Sequence, residues 1–228
     1  MFKNTIILYV GLLFLISYQL KAQDNIPKVT FNYNFIPFDR TCARITNVEI
    51  EETWIKELHE NLDKFRQAWG ALGPQLLAKT VQKTGRPFKQ KELHAAMSLC
   101  DINSMSHPLL INMRRFLYTS TDNKPEFLDF FVALVFHELM HIYVYDIRSE
   151  IGTTPLLEKY QREKISVINH LHLVALIKNA YIQLGMEPFL EKLIEEDSKL
   201  GPIYARSWEI VNELEDYRHF IDELKLKN

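Results

Sequence analysis

Residues 137–141 read His-Glu-Leu-Met-His, an H-E-x-x-H pattern set inside an apolar run from Phe127 to Val144. No other stretch constrains the chain as tightly. On an α-helix, residues four apart lie one above the other on the same face. His137 and His141 can then aim two imidazoles at one point, which suits a tetrahedral Zn²⁺ bonded to nitrogen at about 2.0–2.1 Å. Glu138 lies beside that point and is placed to accept a proton from an attacking water without being a ligand. The surrounding residues predict the helix over 125–147. Asp122-Asn123-Lys124-Pro125 offers N-cap residues and an early proline, and no further Gly or Pro follows until after Ile147. Phe127, Phe130, Phe131, Leu134, Val135, Leu139 and Ile142 recur at helical spacing. A buried helix carrying His, Glu and His must satisfy those polar groups, and a metal does so directly.

The rest of the chain narrows the setting. It has 228 residues, 47% hydrophobic and 25% charged, which is enough apolar material for a sizeable core. Residues 1–22 read as an export signal: Lys3 precedes an apolar core from Ile6 to Ile16, too short for a comfortable membrane span, and Ala22 is a plausible cleavage residue. Removing this segment with Lys3 and Lys21 moves the net charge from −2 to −4. With no basic surplus, nucleic acid is not an expected partner. Residues 23–228 are then one domain, periplasmic or secreted, without a stable membrane span. In that setting Cys42 and Cys100 either form one disulfide closing a long loop or stay as buried thiols, and neither sits in a metal-binding doublet.

Alternation over 28–36 predicts a half-buried strand. Ile50, Trp54, Leu58, Leu62, Phe65 and Trp69 predict a helix to Trp69, broken by Gly70, Gly73 and Pro74, with a second helix over 74–83. Residues 92–100 and 108–118 read as two strands of a hairpin around the turn-rich loop 101–107, and Leu109–Met113 is a candidate edge strand for an extended peptide. Further helices are expected over 163–184, 188–200 and 203–224.

Catalytic zinc commonly takes three protein ligands. A histidine six residues beyond the motif is missing, because that position is Ile147. Glu158 and Glu163 fall at a suitable distance but lack a specific context. Asn169-His170-Leu171-His172 is the better source. Projected at 100° per residue, His172 shares a face with Ile165, Ile168, Ala175, Asn179 and Ile182, whereas His170 lies near Glu163, Ser166 and Lys178. His172 is therefore the first choice, His170 the second, and a glutamate the third.

The stretch from Pro125 to Ile147 resembles the active-site helix of zincin metallopeptidases, and the strand pair before it is similar to the zincin catalytic half. That resemblance implies an α+β fold, mainly helical with a small antiparallel sheet preceding the H-E-x-x-H helix. It also implies zinc held by His137 and His141, with Glu138 as general base. It supplies no third ligand and no oxyanion-stabilising residue; Tyr143, Tyr145, Tyr204 and Arg206 are all available. The expected activity is hydrolysis of peptide bonds in a peptide or protein substrate. The alternatives are a zinc-binding interaction protein without proteolysis, or a zinc amidase acting on cell-wall peptide material.

Overall fold

The computed structural model describes residues 25–33, 38–120 and 126–226. The export signal read at 1–22, the capping residues Asp122–Pro125 and the end of the first strand at 34–36 lie outside the described residues. The fold is α+β. A four-stranded sheet is formed by β1 (Lys28–Tyr33), β2 (Glu92–Ser98), β3 (Met105–Ser106) and β4 (Leu109–Asn112), in the order β1-β2-β4-β3. It packs on a helical body made of α1 (Arg40–Thr46), α2 (Glu52–Thr84), α3 (Leu128–Ile151), α4 (Pro155–Lys159), α5 (Ile165–Gln183), α6 (Glu187–Lys199), α7 (Pro202–Glu209) and α8 (Tyr217–Leu224).

The sheet is mixed, not antiparallel. β1 runs parallel to β2, from Lys28 opposite Glu92 to Tyr33 opposite Met97. β2 runs parallel to β4, from Ala96 opposite Leu110 to Ser98 opposite Asn112. The expected hairpin between 92–100 and 108–118 does not form. Asp39 takes hydrogen bonds from the Ser98 hydroxyl and the Leu99 N–H, and a Cys42–Cys100 disulfide joins the end of β2 to α1 across a Cα–Cα distance of 6.1 Å. The chain then turns back as β3 and turns again at His107-Pro108, so β4 enters between β2 and β3. Leu109, Leu110 and Ile111 are consecutive and all buried, the pattern of a strand covered on both faces. The sheet edge therefore belongs to β3, and Leu109–Met113 is not an edge strand. Arg114–Phe116 form a 3₁₀ turn where the strand was expected to continue.

The break expected near Gly70 and Pro74 is also absent: α2 runs without interruption through Pro74. Gly73 does not end the helix. It is buried against the Trp69 indole, where a Cβ would collide with the ring. Proline cannot donate to the carbonyl four residues earlier, but that residue, Gly70, is exposed. Buried Trp69, Leu76 and Leu77 hold both halves of the helix to the core. The last helix expected over 203–224 is divided instead. A π turn over Ile210–Leu214 ends at Glu215, which is extended and bonded by Lys159 and Tyr160, and Asp216 caps α8 by accepting from the Arg218 N–H.

α3 lies at the centre, packed against α2, α5 and the sheet. Phe131 meets Phe31, Phe65 and Phe116 in an aromatic cluster where sheet and helices join. α3 and α5 are long and apolar enough to cross a membrane by composition, and most of their apolar stretch is buried inside the fold. Central position in the core accounts for their hydrophobicity.

Candidate metal centre

The helical register of α3 brings His137 and His141 together as the motif predicts. Their Nε2 atoms lie 3.2 Å apart. Two nitrogens each about 2.05 Å from one ion would subtend an angle of about 103° at that separation, close to tetrahedral. α5 delivers the third imidazole, and it comes from His170. The ligating nitrogens of His137, His141 and His170 all lie within 4.8 Å of one another. The His170 ring centroid is 5.4 Å from that of His137 and 4.8 Å from that of His141.

The tautomer of His170 follows from its partner. Nδ1 lies 2.6 Å from the Ser166 carbonyl oxygen one turn earlier, so Nδ1 carries the proton and donates it. Nε2 is left with a lone pair, buried and with no hydrogen-bond partner among the described residues. A buried nitrogen without a partner costs free energy unless something binds it. Here it faces two more imidazole nitrogens, which fits a divalent cation, and a backbone carbonyl behind the ring is the usual device for orienting a metal-binding histidine. Burial keeps all three rings neutral, the form that ligates metals. His137 is held well below the ordinary histidine value by burial and by the two neighbouring rings. Burial, with His170 and His107 nearby, pulls His141 down to about 4. His170 is lowered by burial.

His172, the first choice from the sequence, is not brought to the pair. It is fully buried on another side of α5, with Nε2 2.9 Å from Glu223 of α8. Glu223 also accepts from the Thr154 hydroxyl at 2.6 Å and the Leu156 N–H at 2.7 Å. The projection failed because α5 is buried on most sides, so its apolar face does not say which neighbour it meets. The polar face bearing Ser166, Asn169 and His170 fronts the cleft instead. The glutamates are not available either: Glu158 is exposed, and Glu163 is held by Arg206 at 2.7 Å.

Glu138 is buried beside the triad, and burial raises its carboxyl to about 7. Of the four residues left open for the oxyanion, Tyr204 of α7 comes to the site, with its ring 5.1 Å from His170 and 5.9 Å from His137. Burial and the neighbouring Glu138 raise its pKa, so the phenol keeps its proton. Tyr143 is a core residue that donates to the Arg86 carbonyl, Tyr145 is exposed against His107, and Arg206 pairs with Glu163 and Glu209. The sequence did not point to Asp197. It is bonded to the Trp208 indole N–H at 3.0 Å and lines the same recess as His137, Glu138 and Tyr204.

Two grooves flank the triad, one at each end of β3. The first, about 670 Å³, is bordered by Ser106, His141, Arg148 and His170. The second, about 440 Å³, is bordered by Ser104, Arg114, Glu138 and Tyr204. A larger groove of about 850 Å³ follows β1 at the far edge of the sheet, but no histidine or carboxylate among the described residues lines it. No family model, no curated protein and no solved structure matches the chain. The likeness to zincins therefore rests on the five-residue motif and on the geometry around it.

Proposed function

We propose that the protein is an exported zinc-dependent peptidase whose metal is held by His137, His141 and His170. The observation that carries this reading is the convergence of three neutral imidazoles on one point, with the buried Nε2 of His170 otherwise unpartnered. A zinc ion there would supply a Lewis acid that polarises water and a substrate carbonyl. Glu138 takes a proton from the attacking water on its carboxylate and passes it to the leaving amine nitrogen as the C–N bond breaks. Burial raises its carboxyl, which favours holding the proton on its way to the amine, and a bound cation would draw it back down. The Tyr204 hydroxyl donates a hydrogen bond to the carbonyl oxygen as negative charge develops on it. An extended substrate lies between the two grooves along the outer edge of β3, where backbone groups can pair with it. The Cys42–Cys100 disulfide supports an oxidising compartment outside the cytoplasm.

The test is metal content and peptide-library cleavage on purified protein, wild type beside Glu138→Gln. Wild type should hold about one zinc per chain and cleave. The variant should keep the zinc and lose at least about a hundredfold in kcat. Full activity in Glu138→Gln would refute its role as general base. Stoichiometric zinc with no cleavage by wild type would favour a metal-binding protein without proteolysis.

A further inference from the structure

Arg148 stands in the wall of the groove on the His141–His170 side. It follows His141 by seven residues, so it shares a face of α3 with that ligand and lies about 10 Å further along the helix axis. The side chain is half-buried. Among the described residues its side chain makes one hydrogen bond, from Nη1 to the neutral Oδ1 of Asn169, at 3.1 Å. No carboxylate among the described residues pairs with it. The arginines of the opposite groove differ, since Arg114 is paired with Asp101 and Arg115 with Glu126. Burial lowers the pKa of Arg148, and no nearby acid offsets this. A half-buried guanidinium without an anion has lost hydration and gained little in return. Its planar fork matches a carboxylate in geometry.

We infer that Arg148 receives a carboxylate of the substrate, which makes it a specificity-determining residue for peptides carrying a negative charge on the His141–His170 side of the hydrolysed bond. This rests on the peptidase reading above. At about 3.3 Å per extended residue, about 10 Å places the carboxylate two to three residues from that bond. Either a free C-terminus or an acidic side chain supplies this chemistry.

The test is fluorescence anisotropy with zinc-loaded Glu138→Gln protein, which holds the peptide without cleaving it. Three alanine-rich hexapeptides labelled at the N-terminus serve as probes: one with a free C-terminal carboxylate, one C-terminally amidated, and one amidated with glutamate as the fifth residue. At least one carboxylate-bearing peptide should bind about tenfold or more tightly than the neutral amide. Which one does so identifies the source of the carboxylate. Adding Arg148→Gln should reduce the preference to less than about twofold with zinc content unchanged, whereas Arg148→Lys should keep part of it. The preference should also shrink with added salt. Equal binding of all three peptides to protein with Arg148 intact would overturn the proposal alone, and that comparison stands even if Arg148→Gln fails to fold. Binding of none of them would overturn the peptidase reading along with it.

Discussion

His170 and His172 sit two residues apart on one helix, and the structure gives them different work, so removing each should have a distinct effect. His172→Ala deletes a fully buried ring and one hydrogen bond to the Glu223 carboxylate. Truncating a buried side chain costs about 2–5 kcal/mol, and a hydrogen bond to a charged group about 1.5–3 kcal/mol. Glu223 keeps its bonds from Thr154 and Leu156, so the lower part of the range applies, about 3 kcal/mol. In a chain of this size that lowers Tm by about 6–12 °C. Zinc content should not change. His170→Ala removes a half-buried ring, so stability without metal should fall by less than about 1 kcal/mol. In the proposed site it removes one of three ligands, however. If each ligand contributes about 3–4 kcal/mol of an apparent zinc affinity on the order of 10–16 kcal/mol, binding weakens by roughly two to three orders of magnitude. The assay is thermal unfolding of both variants with and without added zinc, beside metal content. Wild type and His172→Ala should both gain stability with zinc, from different starting points. His170→Ala should start near wild type and gain almost nothing. Loss of zinc from a folded His172→Ala protein, with His170→Ala still binding it, would refute the assignment of the third ligand.

Tyr204→Phe should lower kcat about a hundredfold while KM and zinc content stay near wild type, and an unchanged kcat would remove Tyr204 from the oxyanion role. The Cys42–Cys100 disulfide spans 58 residues, so chain entropy assigns it about 4 kcal/mol. Urea denaturation of the oxidised protein and of a Cys42→Ser/Cys100→Ser variant should show that difference, and coincident curves would count against it. Burial raises Asp197 from 3.8 to about 6 despite the opposing Trp208 hydrogen bond. The folded state then holds a proton that the unfolded state releases first, so this group reduces stability as pH rises from about 4 to about 6. Partial exposure discounts the effect to about 1–2 kcal/mol. Asp197→Asn should stabilise by that amount at pH 7, with the gain gone near pH 3.5; a gain that does not change with pH would rule out the carboxyl as its source.

The sequence by itself determined the parts that depend on neighbours along the chain. Helical spacing over Phe127–Ile142 predicted α3, and the i, i+4 relation of His137 and His141 fixed the convergence of their Nε2 atoms at 3.2 Å. Alternation over Val29, Phe31 and Tyr33 marked β1, and the stop signals Gly185 and Gly201-Pro202 marked the ends of the helices 163–184 and 188–200. Arg148 was not singled out: seven residues beyond His141 is two turns along one face, but only the structure shows it in the groove with Asn169 as partner. Tertiary structure decided what depends on packing between distant segments. Pro74 was tolerated inside α2 because Gly70 is exposed and the core grips both halves of the helix. β4 became an interior parallel strand because the Asp39 and Cys42 contacts turn the chain back before it can form the expected hairpin. His170, not His172, lies beside His137 and His141 because α5 is buried on most sides, and only its neighbours decide which side meets α3 and which meets Glu223 of α8. A helical period ranks the faces of a helix by polarity, but a cleft and a core can take either kind of face. Which one each receives depends on contacts far apart in sequence.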